Sequence, residues 1–156
     1  MQNYIKSQTR LAFVQYIFQS EFLNTDSVES IEDFQKHFYD TNIAIINEKR
    51  EFKLKFNKNF LNRLFSSFKN NIDKKNIIED LNNFININRK FEKWDNILKS
   101  IIFAIIAELL ITEKNKFKIV FNDYLNISKS LVSQKETKLI NAIIQKYIDK
   151  NEIIKK

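Results

Sequence analysis

A chain of 156 residues with no glycine and no proline lacks the two residues that most often stop a helix or shape a tight turn. Helices in such a chain have to be started by the side chains of Asn, Asp, Ser and Thr, which accept from free backbone N–H groups. The same residues are expected to end them, since Asn above all tolerates the left-handed end conformation. Glycine's absence also removes functions. A phosphate-cradling P-loop, a dinucleotide-binding turn and an EF-hand loop each need a backbone shape that glycine supplies. There is no Cys and a single His, His37, so zinc sites and triads built on Cys or several histidines have almost no raw material. Most enzyme classes are thereby removed, no metal or cofactor is expected, and without disulfides the chain suits a reducing, cytoplasmic compartment.

Ile, Lys and Asn number 25, 22 and 20, a skew in favour of A/T-rich codons, so the formal net charge of +7 is a weak argument for an anionic partner. The charge is uneven nonetheless. The first fifty residues carry five basic and seven acidic side chains, and the basic excess lies wholly in the remainder. The opening MQNYIKSQTR has no apolar core of the kind a secretory leader needs. The longest apolar run, Ile101 to Ala107, ends at Glu108, far short of the roughly 18 residues of a membrane span. One domain over 1–156, with no membrane partner, is the simplest organisation.

Apolar residues recur mainly at the helical period. Leu11, Val14, Phe18 and Phe22 predict a first helix over 5–23, and Asp26 with Glu29 suggests a capped short helix through Phe34 and Phe38. Further helices are expected around Phe56 to Phe68, Ile77 to Ile85, Trp94 to Leu110 and Phe117 to Val132. The Trp94–Leu110 stretch is apolar nearly all round, which marks a central helix. Ser133 and Glu136 form a capping box before Leu139, Ile140, Ile143, Ile144, Tyr147 and Ile148. Only 41–55 alternates apolar with charged residues. It suits a small hairpin or an ordered loop, and the loop is preferred because two isolated strands are marginal. The fold class is all-α, with about seven helices.

Lys6 and Arg10 stand four apart, on one helix face, the spacing for straddling phosphates of one strand. Lys135 and Lys138 fall in the first turn of the last helix, where a cation opposes the helix dipole but backbone N–H groups are available to phosphate. Phe18, Phe22 and Trp94 have core spacing. Glu108, inside an apolar helix, needs a partner, because an isolated buried carboxylate is costly; a neighbouring helix N-terminus or a Lys would serve. Asn122 and Asn141 are candidates for capping or bridging helices. Glu32-Asp33 and Glu79-Asp80 are sequence neighbours pointing about 100° apart on a helix, and so are poor acid/base pairs.

Four pieces occur in a recognisable order: Arg10-Leu11-Ala12-Phe13-Val14-Gln15-Tyr16-Ile17-Phe18-Gln19, then Glu108-Leu109, then Lys118-Ile119-Val120-Phe121-Asn122-Asp123, and last Leu139-Ile140-Asn141-Ala142-Ile143-Ile144-Gln145. This ordered set resembles the bacterial transcription antitermination factor NusB family. The likeness touches about half the chain, at both ends. The family's proline before the third piece is Lys116 here, and its glycine in the fourth is Ala142.

The resemblance implies two packed helical bundles and a non-enzymatic role. Such proteins pair with ribosomal protein NusE, hold the single-stranded boxA element of ribosomal RNA leaders, and join the RNA polymerase elongation complex to prevent premature termination. Carried over residue by residue, it assigns RNA contact to Lys6, Arg10, Lys135, Lys138 and Leu139, the last replacing an aromatic of relatives. It assigns NusE contact to Phe18, Phe22 and Glu92. The family's arginine-rich opening is thinned here to Lys6 and Arg10. The first and last helices are expected to share one cationic ledge; homodimerisation through the partner surfaces stays open. Two other readings are a helical interaction module without RNA, and a stand-alone relative of the NusB-like RNA-binding domain of ribosomal RNA cytosine methyltransferases, which would need a catalytic domain after Lys156.

Overall fold

The computed structural model describes residues 2–22, 43–47, 50–53, 56–84 and 91–150. Among them are six α-helices: α1 (Asn3–Phe22), α2 (Lys58–Asn71), α3 (Lys74–Phe84), α4 (Asn96–Leu109), α5 (Phe117–Ser128) and α6 (Gln134–Lys150). Single 3₁₀ turns at Phe91–Lys93 and Lys114–Lys116 precede α4 and α5. The helix expected through Phe34 and Phe38 lies outside the described residues, as does His37. The preference for a loop at 41–55 is overturned. Strands β1 (Ile43–Asn47) and β2 (Arg50–Lys53) pair antiparallel, with Ile43 opposite Lys53 and Ala44 opposite Phe52, and an irregularity between Ile45 and Asn47. The alternating pattern carries the period of a pleated strand, and that pattern outweighs the marginal stability of a two-stranded ribbon.

The starts of α2, α3 and α6 follow the expected chemistry, whereas Asp95 before α4 makes no side-chain cap bond and α5 starts from Lys116. The Asn57 side chain accepts from Phe60 N–H at 2.9 Å, capping α2, while the Asn57 backbone N–H donates to Thr9 Oγ1 at 2.9 Å and ties that start to α1. At α6, Ser133 Oγ accepts from Glu136 N–H at 3.1 Å and Glu136 Oε1 accepts from Ser133 N–H at 3.1 Å, the reciprocal box read from the sequence. Helix ends differ from expectation. The caps of α4 and α5, Leu110 and Lys129, stay in the right-handed helical region, and that of α2, Ile72, is extended. After α4 the chain tightens instead, with Ile111 N–H donating to Glu108 C=O and Thr112 N–H to Leu109 C=O. Three-residue hydrogen bonds thus satisfy carbonyls that a left-handed residue would otherwise cover.

Helix α4 is the axis of the molecule. It is buried at Leu98 and continuously from Ser100 to Leu109, and it packs against α1, α2, α5 and α6. One group, α1 with α2, lies against it; a second, α5 with α6, lies against it too; α1 also meets α5, and α3 joins the second group through α6. Edge-on aromatic contacts run from Phe13 to Phe68, Phe68 to Phe103, and Phe103 to Phe91 at 5.8–6.3 Å between ring centres, a geometry that rings prefer over face-to-face stacking. Buried polar side chains are paired: Ser67 Oγ donates to Ala107 C=O at 2.6 Å and Ser100 Oγ to Asn96 C=O at 2.8 Å. Ile105 is fully buried at the middle of α4. Ile105→Ala is expected to lower unfolding free energy by about 2–5 kcal/mol through lost burial and a residual cavity, measured by urea denaturation.

Candidate nucleic-acid interface

Helices α1, α4 and α5 meet at one ionic cluster. Arg10 Nε donates to Glu108 Oε1 at 2.9 Å, and its second guanidinium nitrogen donates to Glu108 Oε2 at 2.7 Å, a fork-on-carboxylate pair. The third nitrogen donates to Asp123 Oδ2 at 2.5 Å. Tyr124 Oη donates to Glu108 Oε1 at 2.8 Å and Ser7 Oγ to Asp123 Oδ1 at 2.7 Å. The rings of Phe60 and Tyr124 lie 5.5 and 5.8 Å from the guanidinium carbon. The side chains of Arg10 and Glu108 are only 7% and 4% exposed. Burial by itself would lower the Arg10 pKa, but the hydrogen bond and charge of Glu108, then Asp123, outweigh it and raise the pKa. Burial, followed by the negative charge of Glu108, holds the Tyr124 phenol well above its ordinary value.

This geometry corrects the reading of Arg10 as a phosphate ligand. Its donors are committed to two carboxylates, and it is a buried brace. Glu108 has the structural role its position demanded, but its partners are Arg10 and Tyr124 rather than a Lys or a helix end. Asn122 and Asn141 are exposed rather than bridging helices.

Above the brace opens a cleft of about 750 Å³ between the start of α1, the start of α2, the end of α4 and the outer face of α5. Lys6 lines it, one turn before Arg10; so do Arg63, Lys116, Asn122 and Asn126. None of these four is among the site residues expected from the sequence. The available signal was on α5, where Ile119, Asn122, Asp123 and Asn126 follow helical spacing on a face opposite the buried Val120, Phe121 and Tyr124.

Lys135 and Lys138 are exposed on α6 but are not among the residues lining this cleft, and Leu139 is half-buried against the core. Of the four expected cations, Arg10 is thus buried in the brace and Lys6 alone of the remaining three lines the cleft. At the α6 start, the Glu136 N–H is already taken by Ser133, and the exposed Lys135 and Lys138 stand on either side of it in sequence. At the far end of α1, Phe22 is half-buried with the Lys99 ammonium 4.8 Å from its ring centre, and Phe18 is half-buried. Glu92 lies in the 3₁₀ turn before α4. Trp94, 7% exposed, is a core residue packed on Phe91. Among the described residues no helix is long and apolar enough to cross a membrane.

The NusB family model matches residues 7–149, from the turn before Arg10 to the end of α6. The chain belongs to the NusB family. This is a family of non-enzymatic transcription antitermination factors. Relatives named transcription antitermination protein NusB include one from Rickettsia conorii, 26% identical over 141 residues that cover 90% of this chain and 89% of that protein. One from Rickettsia felis is 26% identical over 149 residues, with 96% and 94% covered, and one from Rickettsia typhi is 24% identical over 150. No solved structure matches the chain.

Removing Arg10 would strand Glu108 in the core. Arg10→Ala is expected to cost about 3–5 kcal/mol, as for other broken buried pairs, read as a lower urea midpoint. Tyr124 gives a pH signature. Because its folded pKa lies above the ordinary 10.0, the unfolded chain loses that proton first as pH rises. Its contribution is complete below about pH 10 and is lost as pH climbs through the raised folded value. Tyr147, raised by burial and then by Asp80, acts in the same direction. Stability measured by denaturation from pH 8 to 11 should fall above pH 10, and less steeply in Tyr124→Phe, with Tyr147→Phe as the control for the second phenol.

Proposed function

We propose that this chain is a transcription antitermination factor that works by assembly rather than by chemistry, as one domain over 1–156, in the cytoplasm. It holds a boxA-like single-stranded ribosomal RNA leader together with ribosomal protein NusE and joins the RNA polymerase elongation complex, where the assembly prevents premature termination. The observation that carries this reading is the NusB match over residues 7–149; the names and lengthwise coverage of the Rickettsia relatives support it.

Two surfaces divide the work. Lys6 at the cleft, with Lys135 and Lys138 exposed on α6, supplies cations to the transcript. The C-terminal end of α1, with Phe18 and Phe22, and the turn bearing Glu92 receive NusE, where an acidic residue suits a basic ribosomal protein. Leu139 belongs to the RNA side as an apolar neighbour of Lys138. RNA and NusE then strengthen one another's binding by the same factor, as linkage requires.

Gel mobility of a boxA-like RNA with the protein, with and without NusE, tests this. With three or four phosphates neutralised, log K should fall against log salt with a slope of about −2 to −3. Lys6→Glu combined with Lys135→Glu and Lys138→Glu should abolish RNA capture and leave NusE binding intact. An unchanged RNA affinity in that variant would refute the assignment of the cations. Absence of any RNA binding, even with NusE, would leave a protein-only helical module.

A further inference from the structure

We propose that the cleft over the Arg10–Glu108–Asp123 brace is a pocket for a single splayed-out nucleotide of the bound single-stranded RNA, with Lys6, Arg63 and Lys116 at the sugar-phosphate and Asn122 and Asn126 at the base. This rests on the RNA-binding reading above and adds a pocket to it. The volume, about 750 Å³, lies within the roughly 300–1,000 Å³ usual for sites that enclose a small molecule. Beyond Arg10 in the floor, its lining combines three cations, the amides of Asn3, Asn122 and Asn126, and the exposed side chain of Ile119, which is 68% accessible. Single-stranded RNA is recognised by that combination: charge for phosphate, amides for base edges, and flat or apolar surfaces for base faces.

Arg63 supplies the flat surface. Its guanidinium carbon lies 5.4 Å from the centre of the Phe60 ring, so the group is braced at the cleft wall before any ligand arrives, and bases stack on guanidinium planes as they do on aromatic rings. Asn122 and Asn126 are one turn apart on the outer face of α5, both exposed, and each carries a donor and an acceptor for the edge of a base.

The distribution of charge favours a nucleotide over an acidic peptide. The floor holds one guanidinium against two carboxylates, a negative excess that repels an anion placed deep in the cleft; at the wall the Glu113 carboxylate is paired with Lys116 at 4.0 Å in an exposed contact, the kind that contributes little and yields readily to a phosphate. The cations Lys6, Arg63 and Lys116 come from three separate elements around that floor. A nucleotide carries its charge on the backbone and sends a neutral base inward, which suits this arrangement. An Asp or Glu side chain would have to send its charge inward.

The test uses a short single-stranded boxA-like RNA carrying 2-aminopurine at one position at a time, titrated with the full chain with and without NusE. One position should change fluorescence far more than the others. Asn122→Ala with Asn126→Ala should remove that response and weaken binding roughly tenfold, with no change in salt slope. Lys116→Ala should flatten the slope by about 0.7. Both substitutions fall on exposed positions, and circular dichroism confirms that the variants fold. Wild-type RNA binding with no responsive position, or with the double variant unaffected, overturns the pocket and spares the RNA reading. No RNA binding by the wild type overturns both. A poly-glutamate peptide whose binding is lost in Arg63→Ala and Lys116→Ala, while RNA binding persists, assigns the cleft to an acidic protein and also overturns the proposal.

Discussion

The contact on which the arrangement of helices turns is Arg10 against Glu108 and Asp123. It links residues about a hundred positions apart and is the polar seam among α1, α4 and α5. A hydrophobic core alone does not fix how three helices are rotated about their axes, because apolar side chains of similar volume exchange at small cost. A guanidinium that must meet one carboxylate with two nitrogens and another with the third permits far fewer rotations. Burial in a low-dielectric setting makes each bond strong and each missing partner costly. Ser7 and Tyr124 add further donors to the two carboxylates, so the seam is extensively hydrogen-bonded.

The brace also determines where a functional surface can be. Lys6 lies one turn before Arg10 on α1, at the mouth of the cleft, and Asp123 is next to Asn122 on α5. Rotating either helix to satisfy the buried ions therefore sets the position of the residues above them. Side chains that contact a ligand are held most reliably when the elements carrying them are fixed by packing and by a second layer of hydrogen bonds.

Much of this fold is legible in the sequence where a local rule decides. The all-round apolar character of Ile101 to Leu109 marks a central helix, and Ser133 with Glu136 marks the start of α6; both depend on residues a few positions apart. That Glu108 needs a partner was equally plain. Which partner it has was not, because Arg10 is remote in sequence and its spacing from Lys6 suggested a shared exposed face. A competing pattern was present: Arg10, Phe13, Val14 and Ile17 fall at helical spacing, and all four are buried. Arg10 is the polar end of an apolar stripe. The cleft was the least legible part, since Arg63, Lys116 and Asn126 belong to different elements and become neighbours only when those elements pack.

The absence of glycine bears on the cleft directly. With Leu110 right-handed at its end, α4 closes through Leu110, Ile111 and Thr112 by short-range bonds back to the last turn. Thr112 Oγ1 donates back to Glu108 C=O, the residue whose side chain anchors the brace. That tightened turn carries Ile111, Thr112 and Glu113 into the cleft wall and leaves Ile111 43% exposed there. A glycine end would turn the chain away through a different backbone angle and bond the carbonyls of the last turn in a different pattern. The wall of the cleft is therefore a consequence of how a chain without glycine ends its central helix, and the same helix supplies the carboxylate beneath it.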